Sequence, residues 1–330
     1  MSAKKTTTKK KTAKQVGKKT SKKAGKNPRA KMPASKEKLP TRYALEGDPS
    51  CEVYVGDCRE LLPTIPQVKT SEVDLIFADP PFNWDRAYDR WDDKLPDAED
   101  LDFTYAWLAL CVGALRDHGA MWINIPDDWA AEIVVHLKSR GLEMVNWCVW
   151  HYRFGQNTSG RFINSKVHAL YFMKDKRHPD RRWNSDQIEE ASDRATTYGD
   201  SRTITKKVGN AGMRTPMDVW YGKYWGRIQG NNKERRPNHD NQIPEVYLER
   251  VIRACSHEGD LVMDPFLGSG TTALVARELG RRSIATEFSP ENAASAVERI
   301  GMGTVRVKKD EPTRHASAIF APRGTISVEG

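Results

Sequence analysis

Apolar and polar positions divide the chain into three unlike stretches. From Met1 to about Lys38 almost no apolar residue occurs, and such a segment cannot bury enough surface to fold. From Tyr43 to about residue 305, short apolar runs alternate with segments of helical spacing, the pattern of an α/β sheet. The last twenty or so residues return to Pro, Arg and Gly, as in a flexible tail. The expected boundaries are 1–40 for a disordered Lys-rich tail, 41–310 for the folded domain and 311–330 for a C-terminal tail.

Within the folded part, runs rich in β-branched and aromatic residues predict strands over Cys51–Val55, Val73–Ala78, Gly119–Ile125, Met144–Trp150, Val167–Met173, Leu261–Met263 and Ser283–Thr286. Helical spacing predicts helices over Leu101–Leu115, Trp129–Leu137, Val246–Cys255 and Ala273–Leu279. A shorter helical beginning, Cys58–Leu62, is expected to end at Pro63 and Pro66. Asp57, just before it, suits a ligand-facing loop and a helix N-cap equally well. Asn83 to Asp100 has no clear period and reads as a long loop. His168, inside a strong strand, is expected to be a satisfied core or edge histidine. Between Lys174 and Asn238 periodicity fails, so an inserted segment is placed at about 175–238.

Charge sharpens this division. The net charge of +9 hides a tail at +14, which leaves −5 for the rest. Residues 39–150 carry −12 and residues 151–238 carry +9, so one block of the body is built to meet a polyanion. Arg153, Arg161, Lys223, Arg227, Lys233, Arg235 and Arg236 are its candidate phosphate contacts, interleaved with aromatic residues such as Tyr152, Phe154, Tyr224 and Trp225. The tail would add salt-sensitive attraction to phosphates; a solubilising extension is the alternative. Five scattered cysteines with no C-x-x-C spacing indicate neither a disulfide framework nor a zinc knuckle, and no metal is expected. No run of about 18 apolar residues exists and no secretory signal opens the chain, so a cytoplasmic, nucleoid-associated location is expected.

Two stretches carry chemistry. Asp79-Pro80-Pro81-Phe82 ends an apolar strand, and its prolines forbid continuation. In open α/β sheets the carboxyl ends of strands border the ligand crevice. There, a carboxylate and a backbone carbonyl would accept both N–H bonds of an exocyclic amine and localise its lone pair, while Phe82 stacks on the base. The second stretch, Asp264-Pro265-Phe266-Leu267-Gly268-Ser269-Gly270-Thr271-Thr272, is a glycine-rich turn between strand and helix. Its glycines let a ligand approach the backbone at a helix N-terminus. A P-loop would need a Lys that is absent. A dinucleotide site fits Gly268-x-Gly270-x-x-Ala273, with Glu287 placed for a ribose. An S-adenosylmethionine site fits as well and better accommodates Asp264, whose charge would repel a pyrophosphate.

In this order the two motifs resemble the amino-methylating DNA methyltransferases of the β subgroup, over most of residues 48–305. The resemblance implies a Rossmann-like α/β sheet dependent on S-adenosylmethionine, with circularly permuted motif order and an inserted DNA-recognition region. It implies a catalytic group of Asp79, Pro80, Pro81 and Phe82. It also implies a cofactor site formed by Asp57, Cys58, Asp79, Gln242, Asp264, Pro265, Phe266, Gly268, Ser269, Gly270, Thr271, Thr272, Glu287 and Phe288. The turn at Gln242 lacks the Lys usual in the family. The expected reaction is methylation of adenine N6 in double-stranded DNA by base flipping and direct attack. Asp rather than Ser at position 79 favours adenine over cytosine N4. A homodimer and a cognate restriction nuclease are the partners such a protein leaves room for. The rivals are a nucleoid protein with an inert methylase fold and a methylase of RNA or protein.

Overall fold

Short apolar runs with amphipathic helices between them should bury a parallel sheet under helices on both faces, and that is the architecture found. The computed structural model describes residues 41–84, 93–152, 158–205, 210–222, 224–236, 239 and 241–313. The expectations for the tail 1–40 and for residues 314–330 lie outside the described residues. The strands are β1 (Arg42–Leu45), β2 (Cys51–Val55), β3 (Val73–Ala78), β4 (Leu115–Ile125), β5 (Glu143–His151), β6 (Lys166–Met173), β7 (Glu190–Ala191), β8 (Met213–Arg214), β9 (Val219–Trp220), β10 (Leu261–Asp264) and β11 (Arg282–Glu287).

The main sheet has the order β1-β2-β11-β10-β3-β4-β6-β5-β9, and β7 and β8 form a separate antiparallel pair. From β2 to β4 every pairing is parallel, whereas β6 is antiparallel to both β4 and β5. The sheet is Rossmann-like, with strands out of sequence order. Chain order and space order differ most at the centre, where β10 lies against β3 with Val262 opposite Leu75 and Met263 opposite Ile76. Two segments about 185 positions apart therefore end side by side.

One face is covered by the helices Glu245–Cys255 and Thr271–Glu278, the other by Asp97–Ala114 and Ala130–Ser139. The first of these is buried along its whole length, with its charged side chains paired: Glu249 with Arg253 at 2.9 Å, Arg250 with Glu190 at 3.2 Å and Glu245 with Arg299 at 3.4 Å. Asp97–Ala114 starts four residues before the expected Leu101 because Asp97, Glu99 and Asp100 place negative charge on the N-terminal turn. Pro66 opens a helix, Pro66–Lys69, instead of closing one, since a missing N–H is harmless in the first turn. A helix the periodicity did not reveal, Pro290–Met302, is capped by the Ser289 hydroxyl, which accepts from Asn292 N at 3.1 Å, and buries Ala293, Ala296 and Ile300.

The inserted segment is less separate than its composition suggests. It supplies β9, parallel to β5, and sinks Trp220 and Trp225 into the main core against Tyr247. Those two rings are closed to base stacking. Among the described residues no helix is long and apolar enough to cross a membrane.

Candidate active site

The pairing of β3 with β10 sets the site. Asp79 follows the last residue of β3, and Asp264 is the last residue of β10, level with Phe77. Asp79 is partly open by surface area, yet its carboxyl is enclosed by protein. Burial pushes its pKa up to about 7, repulsion from Asp264 adds to the rise, and Asn124 and Arg227 oppose it. Asp264 is also lifted by burial, to about 6, against hydrogen bonds from the Thr272 side chain and from Phe266 N at 2.9 Å. Pro80 is buried beside the acid, and Pro81 is half-buried. Phe82 is only 9 % exposed, edge-on to Trp84 at 5.2 Å, so it stands as part of the wall.

Around Asp264 the glycine turn is shaped by backbone conformation. Gly268 and Gly270 have φ of +52° and +79°, which side-chain-bearing residues rarely adopt. A Cβ at Gly270 would stand 3.0 Å from that of Ala296. Glu287, at the end of β11, accepts from Gly268 N at 2.8 Å and from Ser289 N at 3.0 Å, tying the turn to the neighbouring strand. The adjacent Phe288 ring is 41 % exposed and Phe266 is half-buried against Trp107, so both present apolar surface near the turn. Pro265 is buried, its carbonyl accepting from the Thr286 hydroxyl at 2.7 Å.

Some expected contacts face inward. Arg299 donates to the Thr271 hydroxyl at 2.8 Å and to the Ser269 carbonyl at 3.1 Å, so these residues brace the turn from inside. Both ends of the Gln242 amide are occupied by backbone: Nε2 donates to Glu234 O at 2.6 Å, and Oε1 accepts from Arg236 N at 3.0 Å. It holds a loop. Asp57 caps the helix Cys58–Leu61, accepting from Arg59 N at 2.8 Å and pairing with its guanidinium at 2.6 Å. Burial would raise that carboxyl, but the Arg59 bonds prevail and lower it. Cys58 is buried, and its thiol is pushed up to about 12.

The basic residues divide as well. Arg161, Lys233 and Arg235 are exposed; Arg153 and Lys223 lie outside the described residues. Arg236 is half-buried, its guanidinium on Met302 Sδ at 3.1 Å. Arg227 departs from the expectation of a surface phosphate contact. It is half-buried, lies over the Tyr152 ring at 4.2 Å, donates to Tyr152 Oη at 3.0 Å and to Asn241 Oδ1 at 2.7 Å, and acts electrostatically on Asp79. His168 is satisfied within β6, with Asp127 2.6 Å from Nε2 and Trp147 donating to Nδ1 at 2.8 Å. Sequence reasoning missed Asn124 and Tyr247 altogether. A polar Asn inside the apolar run Met121–Ile125 was the available signal for the first; a tyrosine in a helix carried none for the second.

Comparison with known proteins shows the family of the chain. Residues 73–298 match the N6/N4 methyltransferase family model, described as DNA methylase. The chain belongs to this family. It is 33 % identical over 234 residues to the Type II methyltransferase M1.MboII of Moraxella bovis, covering 68 % of this chain and 88 % of that protein. It is 30 % identical over 245 residues to M.HpaI of Haemophilus parainfluenzae, covering 74 % and 73 %. Among solved structures, PvuII DNA methyltransferase (cytosine-N4-specific) shares the fold with a TM-score of 0.56 at 16 % identity, covering 78 % of this chain and 88 % of that one. The M1.HpyAVI–SAM complex does so at 0.52 and 21 %, covering 76 % and 98 %. The protein is thus a DNA amino-methyltransferase of the N6-adenine or N4-cytosine type, and the methyl donor of this family is S-adenosylmethionine. The residues present fit that donor: two strand-end carboxylates, a turn left open by Gly268 and two apolar rings would suit a cationic, phosphate-free molecule with a ribose diol.

Proposed function

We propose that this DNA methylase acts on adenine N6 in double-stranded DNA, with the base turned out of the duplex toward Asp79. The observation that carries the reading is the pairing of β3 with β10, which sets an acid of pKa about 7 beside the acid of the cofactor turn. When bound, S-adenosylmethionine supplies a methyl carbon activated by a sulfonium leaving group. Asp264, Phe266, Gly268, Glu287 and Phe288 would hold it, with Asp57 on the side of its adenine.

The remaining work falls to this chain. Asp79 and the Pro80 carbonyl accept the two N–H bonds of the amine, drawing its lone pair out of the ring. As the new N–C bond forms, the nitrogen becomes acidic and yields a proton to Asp79. A carboxylate whose pKa lies near neutrality accepts that proton without a large penalty and returns it to solvent. Orientation within the crevice supplies much of the remaining acceleration. Arg161, Lys233 and Arg235 would meet phosphates at the exposed surface, and the Lys-rich tail would add attraction blind to sequence. The same reading carries a cytoplasmic location on the nucleoid, a cognate restriction nuclease and a homodimeric assembly as its corollaries.

Mass analysis of nucleosides from duplex DNA treated with the protein and S-adenosylmethionine tests the target. N6-methyladenine is the expected product; N4-methylcytosine alone would overturn the choice of base.

A further inference from the structure

An asparagine with no solvent exposure closes the apolar end of β4, among Met121, Trp122, Ile123 and Ile125. A buried amide is costly unless its polar atoms are bonded. One of them is: Asn124 Oδ1 accepts from the Tyr247 hydroxyl at 2.6 Å. The amide nitrogen has no partner at full hydrogen-bond geometry. The register explains where it is directed. Ile123 pairs with Ala78 in the parallel ladder, so the next residues, Asn124 and Asp79, are neighbours on one face of the sheet. With its oxygen on Tyr247, Asn124 can offer Asp79 only N–H groups; the flipped amide would set an oxygen against a carboxylate.

Tyr247 is itself immobilised. It has no solvent exposure and stands edge-on to Phe77, Trp150 and Trp220, with ring centroids 5.2 to 5.7 Å away. We propose that Asn124, locked by the Tyr247 hydroxyl, is a positioning residue that holds the Asp79 carboxylate ionised and aimed at the amine. The proposal rests on Asp79 being the acceptor of the amine's proton. The other charged groups facing Asp79 are Asp264, from β10, which works against ionisation, and Arg227, from the inserted segment, which favours it. Arg227 is tied to Tyr152 and Asn241, and Asn124 is the neutral donor to Asp79.

The test is the pH dependence of methyl transfer from labelled S-adenosylmethionine to unmodified duplex DNA of mixed sequence. Asn124→Leu removes the donor at similar volume. Its acid limb should move to higher pH by about one unit, with a roughly fivefold loss of rate at pH 7 and unchanged S-adenosylmethionine affinity. Asn124→Asp, which adds a like charge, should move it further. Tyr247→Phe keeps the ring packing, loses only the hydroxyl, and should give a smaller shift in the same direction. An acid limb unmoved in Asn124→Leu overturns the proposal; should that variant not fold, an unmoved limb in Tyr247→Phe does so. Asp79→Ala separates the two ideas. If it stays active, the role of Asp79 fails; if it is inactive while the Asn124 profile is unchanged, only the positioning role fails.

Discussion

The glycine turn and Asp79 lie at the ends of adjacent strands, yet their polar groups are bonded differently. In the turn nearly every group is closed internally: Glu287 takes two backbone N–H groups, Asp264 takes Phe266 N, and Arg299 fastens Ser269 and Thr271. At Asp79 the acid is lifted to about 7, and only Asn124 and Arg227 favour its charged form. A seat for a ligand gains from rigidity, whereas a proton acceptor needs capacity in hand. On the proposed function, closed bonding goes with the holding region and sparser bonding with the reacting region.

That contrast breaks most directly at the acid. Asp79→Ala should leave S-adenosylmethionine binding by calorimetry near wild type and lower methyl transfer by about a thousandfold or more, the scale of a lost acid–base group with its positioning. Equal loss of both would erase the distinction between the two regions. Next in size is the pH response: with Asp79 at about 7, transfer should fall about tenfold per unit as pH drops below that value. On the holding side, Gly270→Ala meets both the φ of +79° and the Ala296 contact at 3.0 Å. It should cost roughly 1–3 kcal/mol in thermal stability and weaken cofactor binding in parallel.

Stability itself discriminates further. The folded-state pKa of Asp79 lies above its unfolded value, so the native state holds the proton more tightly, and this group's contribution weakens as pH rises from about 4 to about 7. Asp79→Asn should therefore melt higher than wild type at pH 8, by roughly 1–4 kcal/mol, and show no difference near pH 4. The smallest effect on chemistry belongs to the tail. Deleting residues 1–38 should flatten the salt dependence of DNA binding while methylation persists, and an unchanged salt slope would deny the tail its phosphates.

Much of the parallel half was legible because apolar runs ending in Pro or Gly leave few alternatives: Val73–Ala78 and Leu261–Asp264 emerge nearly as periodicity predicts. The two chemical motifs could be named for the same reason. The inserted segment was harder, since composition cannot tell a tryptophan facing a nucleic acid from one folded under a neighbouring helix, as Trp220 and Trp225 are. Arg227 presents the same ambiguity in charge: only its contacts with Tyr152 and Asn241 distinguish an interior arginine from a surface one. Asn124 and Tyr247 are 123 positions apart, and no local pattern announces such a partnership.

The helix Glu245–Cys255 is joined to β10 by the short loop 256–260, and Tyr247 rides on its first turn. On the proposed function, residues 245–272 would form a single cassette that tunes the acid at one end and seats the donor at the other. Transplanting that cassette between related methylases should move acidity and donor affinity together as one inherited trait.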